Sequence, residues 1–336
     1  MTSLTLTRLF NPEGNDDAVN RSIVGGNTTG IANLNNVKYK WASSLFNTML
    51  NNFWIPQKVD LTPDKQTIKG LTEDEMYAFE HTLSFLIALD SMQTSALPHL
   101  GGYITAPEIK NCFTLQEFQE CIHSQAYQYG LQELFSFTER ERIYNLWRDN
   151  PTLLKRNQTI ADMYHAFVDA PTKDSFKKAI CADFVLEGIF FYNGFRYFNG
   201  LAHQGKMVEW NKNITYIEKD ENTHLAFMIH LIKDLNFTSS DMDMLVETVK
   251  KATEDEITWS CEVYGNRILG RSEVQSEMYT KYLANQRVKA VGLPEIYPGY
   301  STNPYAFLET KKKENFFEST VTEYAQSTAV KGWDSF

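Results

Sequence analysis

Apolar positions recur at helical spacing along most of this chain. From Lys38 to Phe53 they fall at Trp41, Leu45, Met49 and Phe53, one face of a helix. Trp54-Ile55-Pro56 closes that stretch, because proline cannot continue the ladder and restricts the residue before it. Thr72 followed by Glu75 is a capping box, and it predicts a long helix running to about Leu97, with Pro98 and Gly101-Gly102 as the stop. Pro107-Glu108 opens the next helix, which carries Phe118, Ile122 and Tyr129. Residues 138–168 read as shorter helices, broken by Ala170-Pro171-Thr172. A long helix from Lys173 to Ala202 and another from Val208 to Leu235 are separated at Gly205. Ser239-Ser240-Asp241 caps a further helix, and Glu273 begins the last. Strand-like alternation bounded by turn residues is almost absent. The pattern predicts one all-α domain over residues 36–295.

The two ends differ from this body. Residues 1–35 are rich in Asn, Gly and Thr without a helical period and read as an extended or mobile arm. Residues 296–336 form a tail with no core-facing stripe, yet it keeps Phe316, Phe317, Tyr324, Trp333 and Phe336. An inert tail has few aromatics, so this one reads as a docking peptide for another chain rather than a strap.

Bulk properties remove several function classes. The 336 residues are 43% hydrophobic and carry a formal net charge of -10. Lys311-Lys312-Lys313 is the densest basic run, so a broad nucleic-acid-binding face is not expected. No apolar run is long enough to span a bilayer, and the N-terminus turns polar too early for a secretory signal. Cys112, Cys121, Cys181 and Cys261 form no C-x-x-C pair and read as reduced thiols of a cytoplasmic protein. The glycosylation-type tripeptides at Asn27, Asn157, Asn213 and Asn236 then carry no meaning.

The chemistry lies in a repeated pattern. Glu120–His123 and Glu221–His224 are Glu-x-x-His pairs, and a spacing of three puts both side chains on one helix face. Each pair follows a lone acid in an apolar helical stretch: Asp90 in SFLIALDSMQ and Glu187 in FVLEGIFFYNGF. Four buried carboxylates together would be prohibitive without compensation, and two divalent cations provide it. Oxygen ligands with one imidazole per ion suit iron or manganese. Helical bundles hold such dinuclear sites with this ligand set. Asp162–His165 also fits the spacing but has no partner acids and is set aside, and His81, His99, His203 and His230 are read as core or surface residues. Tyr127, one turn beyond His123, extends the ligand stripe, and Phe191, Phe195 and Ile217 are the apolar positions one or two turns from ligands.

These segments together resemble the small, radical-generating subunit of class I ribonucleotide reductases, nearest in style to class Ib. The likeness runs from about Lys38 to the C-terminus, through LDSMQ, ECIHSQAY, FVLEGIFFYNGF and KDENTH. It implies a ferritin-like helical bundle with extra helices and a flexible C-terminal tail. Asp90, Glu120, His123, Glu187, Glu221 and His224 fall on the family's ligands to two iron or manganese ions. Tyr127 falls on its radical tyrosine, and Phe191, Phe195 and Ile217 on the surrounding apolar pocket. Trp54 in FWIPQKVDL matches the relay tryptophan, and Asp220 matches the acid that links a metal-bound histidine, taken as His123, to it. Tyr324 resembles the tyrosine that hands the radical across the subunit interface, with Glu318 upstream. The ending VKGWDSF looks like a tail that docks on the large subunit.

The chain offers no redox-active cysteine pair, which ribose reduction needs. A separate large subunit is therefore required, and the family pattern implies a homodimer. A flavodoxin-like activator is expected if manganese is used. Two alternatives share the scaffold: a dimetal oxidase or hydroxylase acting on a small apolar substrate, and an iron-storage ferroxidase. The native metal, and whether the oxidant rests on Tyr127 or on the metals, stay open at this stage.

Overall fold

The computed structural model describes residues 3–308. Its long helices are α1 (Lys40–Asn51), α2 (Glu73–Gly101), α3 (Pro107–Leu134), α4 (Phe137–Asp149), α5 (Pro151–Asp169), α6 (Lys173–Val185), α7 (Tyr192–His203), α8 (Val208–Asp234), α9 (Ser239–Val263) and α10 (Glu273–Ala290), with a single helical turn at Asp64–Thr67. Between the described residues the only β pairing is two isolated bridges, Ser3 with Thr172 and Val24 with Ile104. None of the described helices is long and apolar enough to cross a membrane.

The capping box forms as its sequence requires. Thr72 Oγ1 accepts from Glu75 N–H at 3.2 Å, and the Glu75 carboxylate accepts from Thr72 N–H at 2.8 Å. The helix it starts passes Pro98 and ends a turn later at Gly101. Pro98 has no N–H to give Thr94 O, so the helix forgoes one bond of its ladder close to its end. Thr238 rather than Ser239 caps α9, with Asp241 returning the bond at 2.7 Å.

Four elements build the central bundle: α2, α3, the α6–α7 unit and α8. Helices α2 and α3 pack along each other, while α8 packs against α3, α6 and α7. Gly130 on α3 sets one crossing. A Cβ there would lie 2.2 Å from Trp210 on α8, so only glycine admits that approach. Helices α4, α5, α9 and α10 wrap the bundle. Arg156 of α5, fully buried, pairs with Glu256 of α9, and its guanidinium lies over the rings of Phe85, Phe190 and Trp259 at 4.1, 4.4 and 4.7 Å.

The stretch expected as one helix from Lys173 to Ala202 is interrupted. Residues Leu186–Phe190 form a π turn between α6 and α7, with Glu187 inside it. A wider turn misplaces backbone carbonyls, and side chains take them up. Arg287 Nε donates to Gly188 O at 2.9 Å, and Arg156 Nη2 donates to Phe190 O at 3.5 Å.

The segment before α1 is extended and tied down. Leu4, Ile23 and Val24 are buried, and Arg21 meets Glu108 at 2.9 Å in a buried ion pair. The backbone N–H groups of Lys38 and Tyr39 donate to the other oxygen of Glu108 at 3.0 and 3.2 Å. After α10, Tyr297 and Tyr300 receive the Asn285 amide on their carbonyls at 2.7 and 3.1 Å, and Tyr305 is buried. The expected aromatic positions Phe316, Phe317, Tyr324, Trp333 and Phe336, and Glu318, lie outside the described residues.

Candidate metal centre

Each helix of the bundle sends its acid inward. Asp90 comes from α2, Glu120 and His123 from α3, Glu187 from the π turn, and Glu221 and His224 from α8; all six side chains are fully buried. They assemble as two interlocking groups of four. One is Asp90, Glu120, His123 and Glu221; the other is Glu120, Glu187, Glu221 and His224, with ligand atoms of each group within 4.8 Å of one another.

The shared acids span both groups. Glu120 places one oxygen 3.3 Å from His123 Nδ1 and the other 3.1 Å from His224 Nδ1. Glu221 does the same at 3.1 and 2.8 Å. The other two acids serve one side each: Asp90 lies 3.7 Å from His123 Nδ1, and Glu187 Oε2 lies 3.5 Å from His224 Nδ1.

Buried polar atoms nearly always have partners. Here both oxygens of Asp90, both of Glu120, His123 Nδ1, Glu187 Oε2 and Glu221 Oε1 make no hydrogen bond. They converge on one space, so the donor set fits two cations. The electrostatics agree. Burial, and then Glu120, push Asp90 well above the usual carboxylate range, and burial and Glu221 do the same to Glu187. Burial would also raise Glu120, but His123 beside it brings it down to about 2. Burial alone would lower the imidazoles; the Glu221 and Glu120 charges hold His123 well above its ordinary value, and Glu187 and Glu221 hold His224 there. Without cations, the carboxylate charges favour protons on the imidazoles. Divalent ions would displace them and satisfy the orphaned oxygens at once.

Tyr127 is fully buried one turn beyond His123, and its hydroxyl makes no hydrogen bond of ordinary geometry. Burial, then the Asp90 charge, push its pKa well above the ordinary phenol value. Phe191, Phe195 and Ile217 are all fully buried; Phe191 packs on Phe85 and Phe195 with ring centroids 6.3 and 5.9 Å apart. Trp54 is 3% exposed, and its Nε1 donates to Asp220 Oδ2 at 2.8 Å. The same oxygen meets His123 Nε2 at 3.2 Å, so Trp54, Asp220 and His123 are joined as one hydrogen-bonded set. Asp162 and His165 are exposed, and Asp162 only accepts from Gln158.

A second layer was not foreseen. Gln93 and Gln116 both donate to Glu187 Oε1, at 2.7 and 2.9 Å, and both reach Asp183 Oδ1, at 2.9 and 3.3 Å. Tyr164 O–H donates to Gln93 Oε1 at 2.6 Å and fixes which way that amide faces. Glu187 is thereby held by one oxygen and offers only the other inward. Gln119 links Asp220 to His224 by further bonds. The signal available was positional: Gln116 lies one turn before Glu120, Gln93 three residues after Asp90, and Asp183 one turn before Glu187.

An all-helical bundle of this topology, with two Glu-x-x-His pairs and two further acids, defines a dinuclear metal-carboxylate protein. The family profile "Ribonucleotide reductase, small chain" matches residues 31–304. The chain belongs to that family. It is 38% identical over 342 residues to the ribonucleoside-diphosphate reductase subunit beta of Treponema pallidum, covering 98% of this chain and 97% of that one. Its structure is similar to that of the ribonucleotide reductase R2 subunit from Clostridium botulinum, with a TM-score of 0.88 and 39% identity, covering 91% of this chain and 98% of that one. Dimanganese(II)-NrdF of Streptococcus sanguinis shares the fold at 19% identity and a TM-score of 0.71, covering 79% of this chain and 93% of that one.

Proposed function

We propose that this small chain holds two iron or manganese ions on Asp90, Glu120, His123, Glu187, Glu221 and His224, and stores an oxidising equivalent on Tyr127. From there it serves a separate large subunit that reduces ribonucleotides. What the ions supply when bound is an oxidising equivalent drawn from dioxygen, or from a superoxide-type oxidant brought by a flavodoxin-like activator. The observation that carries this reading is the convergence of orphaned ligand atoms beside a buried, unpartnered phenol.

The chain's own residues divide the work. Tyr127 loses one electron and its phenolic proton, and Asp90, facing it without a protein donor, lies where that proton can leave. Burial among apolar residues keeps water and reductants from the oxidised ring. Trp54, Asp220 and His123 join the centre to the surface side, since Trp54 stacks on the half-buried Tyr216 at 5.2 Å. Tyr324, in the tail, passes the equivalent on to the large subunit, and that tail docks there. The chain acts as a cytoplasmic homodimer of class Ib style. Functionally it divides into an arm at 1–35, a helical domain at 36–295 and a docking tail at 296–336. A dimetal oxidase would have no use for the Trp54–Asp220–His123 set.

Replacing Tyr127 by Phe tests this directly. Metal content should stay at that of the unmodified chain, and the tyrosyl signal in electron paramagnetic resonance should vanish. A surviving signal would rule Tyr127 out.

A further inference from the structure

The hydrogen bonds leaving the centre fork at Asp220. Oδ2 takes Trp54 Nε1 and His123 Nε2; Oδ1 takes Gln119 Nε2 at 2.9 Å. Gln119 Oε1 in turn lies 3.0 Å from His224 Nε2. The same Gln119 nitrogen reaches Met49 O at 3.3 Å, and the side chain is almost wholly buried.

The orientation of this amide is forced. His224 Nδ1 faces the carboxylates of Glu221 and Glu120 at 2.8 and 3.1 Å, so when that nitrogen is a ligand the ring proton sits on Nε2. Nε2–H needs an acceptor, and Gln119 Oε1 is there. Asp220 Oδ1 can only accept, and Gln119 Nε2 donates to it. A flipped amide would set N–H against N–H and carbonyl against carboxylate. Gln119 thus makes one unbroken path from His224 to the acid that holds Trp54.

We propose that Gln119 is a positioning residue that couples both ligand imidazoles to Asp220, so that the setting of Trp54 depends on both ions and not on the His123 side alone. This rests on the proposed function in taking Trp54 as the exit. Local capping of the His224 N–H would be the plainer role, and it would leave Trp54 and His123 untouched when Gln119 is lost.

The coupling is read without any radical. Carboxylate–imidazole sites accept zinc, which is diamagnetic. In full-length protein loaded with zinc and labelled with nitrogen-15 at histidine and tryptophan, the ring N–H resonances are observable by nuclear magnetic resonance. Trp54, one of 6 tryptophans, is assigned by its loss in Trp54→Phe. Gln119→Met keeps the length and removes the bonds to Asp220 and His224, together with that to Met49 O. The His224 N–H should exchange with solvent at least about tenfold faster, and the Trp54 and His123 N–H resonances should shift with it. Unmoved Trp54 and His123 resonances would overturn the proposal. Should Gln119→Met fail to fold, Asp220→Asn gives the reciprocal reading. Asp220 makes no direct hydrogen bond to His224, and Gln119 is the side chain that bridges the two, so an unchanged His224 resonance is equally fatal. In the iron- or manganese-loaded protein with its large subunit, turnover per tyrosyl radical should fall about tenfold in Gln119→Met, and unchanged turnover counts against the coupling. If the unmodified chain forms no radical at all, the proposed function fails, while the zinc-loaded spectra still decide the role of Gln119.

Discussion

The two halves of the metal centre share Glu120 and Glu221 and differ in nearly everything else. On the His123 side the terminal acid, Asp90, has neither oxygen bonded and faces a phenol. On the His224 side the terminal acid, Glu187, has Oε1 clamped by Gln93 and Gln116, which are held in turn by Tyr164 and Asp183. One acid is held by no hydrogen bond and the other by two. The lesson is that a nearly symmetric ligand set, repeated along the chain, becomes asymmetric through neutral side chains. The loose half adjoins the residue proposed to react, and the rigid half anchors the pair.

The strongest way to break this comparison is to remove what the halves share. Glu221→Ala should lose both ions rather than one, because its oxygens serve both imidazoles. Metal analysis after desalting checks this, and one ion retained per chain would mean the halves are independent. A change to one half alone sharpens the contrast. Gln116→Leu removes one of the two bonds on Glu187 Oε1 and should weaken one of the two binding steps by about 10-fold while sparing the other, as read from a manganese titration. Equal weakening of both would show that the clamp acts on the whole site. The smallest effect tests the frame that holds the halves together. Gly130→Ala pushes a Cβ into Trp210 and should cost about 1–3 kcal/mol of stability in the metal-free protein, measured by denaturant unfolding. A neutral result would mean that α3 and α8 can part without strain.

How far the sequence carried this reading depended on the kind of feature. The six ligands were legible because metal chemistry demands particular residue types, and helix geometry demands their spacing. Helix starts such as Thr72 were legible because a cap is local. The π turn was not: FVLEGIFF is apolar almost throughout, so its period shows no slip, and the arginines that take up its carbonyls, Arg156 and Arg287, are far away in sequence. The glutamines were not either. A neutral amide on a ligand-bearing helix looks like any half-buried polar residue until its partners are in place. The tether of the N-terminal segment depends on Arg21 finding Glu108, a pairing 87 residues apart that no local pattern announces.

The turn at Leu186–Phe190 has a consequence for length. An α-helix advances about 100° per residue, so a wider turn absorbs one residue without spinning the next helix about its axis. Deleting a single amino acid there would let the backbone relax into a regular spiral. Helices α6 and α7 would keep their mutual orientation, and what would be lost is the widened turn that carries Glu187 and leaves Gly188 O and Phe190 O to Arg287 and Arg156. The extra residue in this short stretch therefore serves the placement of Glu187 and the two arginine bonds, not the course of the helices on either side.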